Sequence, residues 1–189
     1  ANTVTIGVNP VNDAPQGANG IVTTDEDATY TFQVDDFPLA DGNDTPANTL
    51  KAVRIASLPA GGTLRVNDQL ATVGTFVQLA DLEAGNFQFV PNVNQSGAPV
   101  GSFSFQVQDD GGTLNGGKDL DPTPNTMTIN VTPVNDAPVA TGKIMTTLED
   151  TALPFTAADF GFADPLDNPP NQLQAIIITD LPTRGTLKL

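Results

Sequence analysis

The heptapeptide SFSFQVQ, residues 102–108, alternates strictly between apolar and polar side chains. In an extended chain this places Phe103, Phe105 and Val107 on one face, with Ser and Gln opposite. The pattern predicts a strand with one face in a core. Working outward, TYTFQV at residues 29–34 puts Tyr30, Phe32 and Val34 on one face, and TMTINV at 126–131 does the same for Met127, Ile129 and Val131. Further strands are expected at 21–24, 50–56, 63–66, 74–79 and 86–90. Turn clusters at 41–47, 59–62 and 109–117 separate them. Helical periodicity is confined to single turns near 35–40 and 80–84. The 17 Gly and 16 Pro are spread along the chain, as many short strands joined by turns require. The expected fold class is all-β: an antiparallel Greek-key sandwich.

The chain also repeats itself. PVNDAP occupies residues 10–15 and recurs unchanged at 133–138, an offset of 123. At the same offset NTVTIGV matches NTMTINV, TTDED matches TTLED, and LPAGGTL matches LPTRGTL. Without a gap, residues 2–66 align with 125–189, and about half of the positions are identical. A period of 123 is too long for a solenoid unit and suits an independently folding domain. The expected organisation is the last strand of one repeat (1–9), a whole repeat (10–132) and the first half of another (133–189). The half repeat lacks counterparts of Phe87, Phe89, Phe103 and Phe105. It is therefore expected to pack on another molecule or on the whole repeat, or else to be poorly ordered.

Composition removes several function classes. With no Cys and no His, disulfides, thiol chemistry, Ser-His-Asp and Cys-His catalysis and the usual zinc ligands are all excluded. The balance of 22 acidic against 7 basic residues, net −15, opposes binding to nucleic acid or to anionic lipid. No apolar run is long enough to span a bilayer, and residues 1–8 have neither the basic nor the apolar region of a signal peptide. No Walker or G-x-S-x-G sequence occurs. Paired Asp residues could hydrolyse glycosides, but here the acids sit in turns and recur with the period. The expected answer is no enzyme.

Among the acids, only Glu26, Glu83 and Glu149 are Glu; the other 19 are Asp. Asp closes turns, and its short carboxylate is also a hard oxygen ligand for calcium. Asn135 and Asp136 in the second seam offer an amide oxygen, a carboxylate and backbone carbonyls, and Pro133 and Pro138 restrict the flanking backbone. Asp41 and Asp44 lie 28 and 31 positions beyond Asp13, as Asp164 and Asp167 do beyond Asp136. They read either as ligands or as an Asp/Asn/Gly turn. Asp109 and Asp110, ahead of Gly111, read as ligands or as a turn closing the core strand. Asp119 and Asp121 form a second loop candidate. Asp36 and Asp159 each precede a Phe and suit the cap of a short helical turn.

V-N-D-A-P, a following E-D, then D-F, L-P-x-x-G-T-L, F-x-F-x-V-x-D, and V-N-D-A-P again: this order resembles the cadherin-like tandem-95 repeats of very large bacterial surface proteins, RTX-type and biofilm adhesins among them. The resemblance covers essentially the whole chain. It implies an Ig/cadherin-like sandwich and a role in cell adhesion as an extracellular extender at the bacterial surface, stiffened by Ca²⁺ and flanked by neighbouring repeats. By the same resemblance, a seam ion would take Glu26 and one of Asp109 and Asp110 from the preceding repeat, then Asn135 and Asp136, then Asp164 and Asp167. The second seam is expected to hold an ion, and the first weakly or not at all. The alternative function is a calcium-assisted carbohydrate- or protein-binding module. Sugar binders usually present exposed aromatic platforms, whereas Tyr30, the one non-Phe aromatic, falls on an inward face.

Overall fold

The structure is a computed structural model, and it describes residues 2–188. The chain forms two compact units, Ala1–Pro133 and Val134–Leu189. The fold is all-β, with strands in several sheets and almost no helix.

The first unit begins with residues 2–9, which carry no strand and leave Val4, Ile6 and Val8 exposed. Strands follow at β1 (Gln16–Gly17), β2 (Gly20–Asp25), β3 (Tyr30–Thr31), β4 (Leu39–Ala40), β5 (Leu50–Ile55), β6 (Gly62–Val66), β7 (Gln69–Leu70), β8 (Phe76–Gln78), β9 (Phe87–Pro91), β10 (Gly97–Asp109) and β11 (Asn125–Thr132). One five-stranded sheet has the order β2-β11-β10-β5-β8, and one four-stranded sheet the order β3-β9-β6-β7. Both feed a single core. Phe103, Phe105 and Val107 from β10 lie in it, as the alternation of SFSFQVQ requires. Phe32 stacks on Phe87 at 4.5 Å, and Phe37 meets Phe105 edge-on at 5.0 Å.

Several elements differ from the sequence reading. The strand expected over 29–34 stops at Thr31, because a 3-10 turn, Val34–Asp36, intervenes. The Asp36 carboxylate accepts the Gln33 backbone N–H at 2.8 Å and closes that turn. Around residue 80 the single helical turn is α1 (Leu79–Glu83). The hairpin joining β6 to β7 was not anticipated. Its two-residue loop, Asn67-Asp68, has φ of 50° and 62°, which Asn and Asp tolerate better than most residues. The same letters V-N-D therefore make a hairpin turn at 66–68.

One pairing departs from the antiparallel expectation. β11 runs parallel to β2, with Met127 beside Gly20 and Thr132 beside Asp25. Parallel neighbours need a long crossover, and the whole intervening unit supplies it. First and last strands thus point the same way. The chain enters the unit beside Asp109 and leaves at Thr132, roughly 20 Å away along β11.

The second unit keeps only the local features. β12 (Val139–Ala140) pairs with β13 (Phe162–Ala163) in the register of β1 with β4. A 3-10 turn, Ala157–Phe160, matches the one at Val34–Asp36, and the Thr156 backbone N–H donates to Asp159 at 2.9 Å. Lys143 also pairs with Asp159 at 2.6 Å, and these contacts hold that carboxyl at about 2. Residues 173–178, counterparts of β5, form no strand.

Candidate functional site

The seam Asn12-Asp13 is fastened to the unit that follows it. The Asn12 side-chain amide donates to the Lys118 carbonyl at 2.6 Å and to Asp109 at 3.1 Å. The Lys118 backbone N–H donates back to the Asn12 carbonyl at 2.9 Å. Asp44 accepts the Asp13 backbone N–H at 2.9 Å. Asn48 ties the rest together: its backbone N–H donates to Asp41 Oδ2 at 2.6 Å, and its amide to Asn12 Oδ1 at 2.5 Å. Asp41 is 8% exposed, and its Oδ1 is buried without a hydrogen-bond partner.

The second seam repeats this arrangement. Asp167 accepts the Asp136 backbone N–H at 3.2 Å, and Asn171 donates its backbone N–H to Asp164 Oδ2 at 2.6 Å and its amide to Asn135 Oδ1 at 2.7 Å. Asp164 is 5% exposed, and its Oδ1 likewise lacks a hydrogen-bond partner. Buried polar oxygens are rarely left so. Here one occurs twice, at the same place relative to each seam.

Asp109 is fully buried at the centre of the first cluster. Burial raises its pKa, the Gly111 N–H and the Asn12 amide lower it, and the charges of Asp41 and Asp119 raise it; the net direction is up. Gly111 sits so close that an added Cβ would lie 1.7 Å from Asn12 Oδ1. A side chain there would displace the Asn12 and Asn48 amides from their hydrogen bonds, which gives the D-D-G sequence a packing reason.

Other candidates are occupied by protein donors. Asp110 is exposed, and both its oxygens bond to Thr49, from the backbone N–H at 2.8 Å and from the hydroxyl at 3.1 Å; these bonds lower its pKa. Asp121 accepts from Gly17, Thr123 and Asn125, each at 2.8 Å, and pins β1 beside the start of β11. Asp119 accepts the Gln108 amide at 3.0 Å. These three close turns and join strands.

The grouping of Glu26 with Asp109 or Asp110 needs correction. Glu26 donates its N–H to Thr132 at the exit end, whereas Asp109 and Asp110 lie at the entry end of the same unit. Asn12 at the first seam finds a polar partner, Asp109, within the repeat it opens. Asn48 and Asn171 were missed. Their signal was available, since both recur at the offset of 123, two residues after a shared Pro.

The carboxylate and amide oxygens of these clusters are hard ligands of the kind a hard cation takes. Among the described residues, however, no three Asp or Glu side chains are grouped to hold a metal ion. No helix among the described residues is long and apolar enough to cross a membrane. The chain matches no protein-family model and no curated protein.

Proposed function

We propose that this chain is a stretch of tandem Greek-key, cadherin-like sandwich repeats from a bacterial surface adhesin, working as an extender that calcium stiffens at its seams. The observation that carries the reading is the buried, unpartnered oxygen of Asp41 and its recurrence at Asp164. A carboxylate oxygen held out of water costs free energy unless something positive meets it. Asp41, Asp44, Asn12 and Asp109 would contribute at the first seam, and Asn135, Asp136, Asp164 and Asp167 at the second. The acid grouping at each seam is incomplete, so a cation there would take its remaining ligands from outside the cluster. Entry and exit at opposite ends of one unit suit end-to-end concatenation. The segment works outside the cell, where calcium is millimolar, and its partners are the neighbouring repeats.

The carbohydrate-binding alternative has less support. Tyr30 packs edge-on against Phe32 at 5.2 Å and gives its hydroxyl to Asp36 at 3.1 Å. Burial and the Asp36 charge push its pKa up to about 12. Its ring is half-buried, with one edge against Phe32.

The test is thermal unfolding in millimolar calcium and in chelator. Calcium is expected to raise the melting temperature, and Asp41→Asn to shrink that rise. Identical curves in the two buffers would overturn the reading.

A further inference from the structure

The dipeptide Asn-Gly occurs twice in the chain, at Asn19-Gly20 and Asn115-Gly116. In this pair the Asn side chain is open to attack by the next backbone nitrogen, because Gly has no Cβ to block the approach. The fold treats the two copies differently. Asn19 Oδ1 accepts the Thr126 backbone N–H at 2.8 Å, and Gly20 begins β2 with Met127 of β11 beside it. A Cβ added at Gly20 would lie 2.6 Å from Met127 Cε, so this backbone is packed in place. Asn115 is exposed in the 3-10 turn Leu114–Gly116, with φ of 58° and ψ of 23°. Its side chain makes no hydrogen bond among the described residues. Gly116 follows at φ of 89°, and Leu114 before it is 80% exposed.

The residues just after this turn are fixed. Gly117 is buried, its N–H donates to the Leu114 carbonyl at 3.1 Å, and a Cβ on it would lie 3.1 Å from Asn12 Cβ. Lys118 then meets Asn12 in both directions, at 2.9 and 2.6 Å, and Asn12 in turn gives its amide to Asp109. A change in the turn is therefore one short step from the first seam.

We propose that Asn115 is a self-modifying site: it deamidates spontaneously to a mixture of Asp and isoaspartate, and the isoaspartyl form loosens the clamp between Lys118 and Asn12. The Gly116 nitrogen attacks Asn115 Cγ. The N–Cγ bond forms, the Cγ–Nδ2 bond breaks, and the amide nitrogen leaves as ammonia with the Gly116 proton. Water then opens the cyclic imide. Breaking the N–Cγ bond gives Asp on an unchanged backbone. Breaking the bond from that nitrogen to the Asn115 main-chain carbonyl routes the chain through Cβ instead. Both products add a negative charge to a loop that already carries Asp110 and Asp119. Only isoaspartate lengthens the main chain, and it does so inside the turn that the Gly117 to Leu114 bond closes. Ring closure rotates ψ of Asn115 away from 23°. The exposed turn permits that rotation, whereas the packing of Gly20 against Met127 resists it at Asn19.

The experiment incubates the full chain in warm, mildly alkaline buffer with chelator and maps its peptides by mass spectrometry over time. Conversion of Asn115 to both Asp and isoaspartate is expected, with Asn19 converting many-fold more slowly. In denaturant, where the fold no longer distinguishes them, the two sites should convert at similar rates. Asn115→Gln should abolish the fast conversion. The aged isoforms are then separated by chromatography and compared by amide hydrogen exchange. The Lys118 amide should exchange several-fold faster in the isoaspartyl isoform than in the parent. Asn115→Asp, which has the charge without the longer backbone, should match the parent. The proposal is overturned if Asn115 does not convert, if Asn19 keeps pace with it in the folded chain, if Lys118 stays equally protected in the isoaspartyl isoform, or if Asn115→Asp loosens Lys118 as much. None of these steps uses an ion, so identical melting in calcium and in chelator would sink the cation reading and leave this one standing.

Discussion

Asp109 is the residue on which charge, burial and connection converge. It is fully buried, takes its two strongest bonds from Gly111 and Asn12, and feels Asp41 and Asp119. With the folded pKa above the unfolded value, the folded state binds the proton more readily. The resulting stability is full below the ordinary carboxylate pKa of 3.8 and is lost as pH rises through the raised value. At neutral pH without calcium the ionised Asp109 is therefore a cost. Asp109→Asn keeps an oxygen for the Gly111 N–H and removes the charge. The variant should be more stable than the parent at pH 7 in chelator, and the gap should close toward pH 4. Urea denaturation midpoints across that range check it; a variant less stable at pH 7 would refute the account. In millimolar calcium the order should reverse, because the parent alone offers the full charge. Asp110 behaves differently, since its bonds to Thr49 make its ionised form the favoured one.

At the scale of elements, β10 holds the first unit together. It lies between β11 and β5 in the five-stranded sheet and places three side chains in the core. Phe105→Ala should cost about 3–5 kcal/mol, the usual loss for a buried Phe. Ile177→Ala, at an 87%-exposed position, should shift stability by less than about 0.5 kcal/mol. Denaturant unfolding of the two variants measures both. Such strands were legible in the sequence because a half-buried strand writes its two faces directly into alternate residues. Asp36 was legible as a cap for a similar reason: a local bond leaves a local pattern. The distribution of ligands was not legible. Sequence spacing says nothing about which end of a sheet a loop reaches, so Glu26 and Asp109 looked like neighbours. The parallel pairing of β2 with β11 decides that point, and it depends on a crossover of about a hundred residues that no short motif reports.

At the scale of the whole molecule, two segments that share about half of their residues take different structures. LKAVRI at residues 50–55 is the strand β5, held between β10 and β8. LQAIII at residues 173–178 has more β-branched side chains and is not a strand. Intrinsic preference would rank them the other way, so partners decide the outcome, in keeping with the strong context dependence of β-propensity. The features that survive in the second unit are those whose partners lie close in the chain. These are the turn at Ala157–Phe160, the short pair of β12 with β13, and the Asn135, Asp164, Asp167 and Asn171 cluster. Residues 173–178, whose counterparts in β5 pair with both β10 and β8, form no strand. Amide exchange of the chain alone should separate the two cases. Amides of β5 should exchange only through global opening of the first unit, whereas those of residues 173–178 should exchange within about tenfold of an unfolded peptide. Equal protection of both segments would mean that residues 173–178 form a stable strand after all, and would remove the contrast.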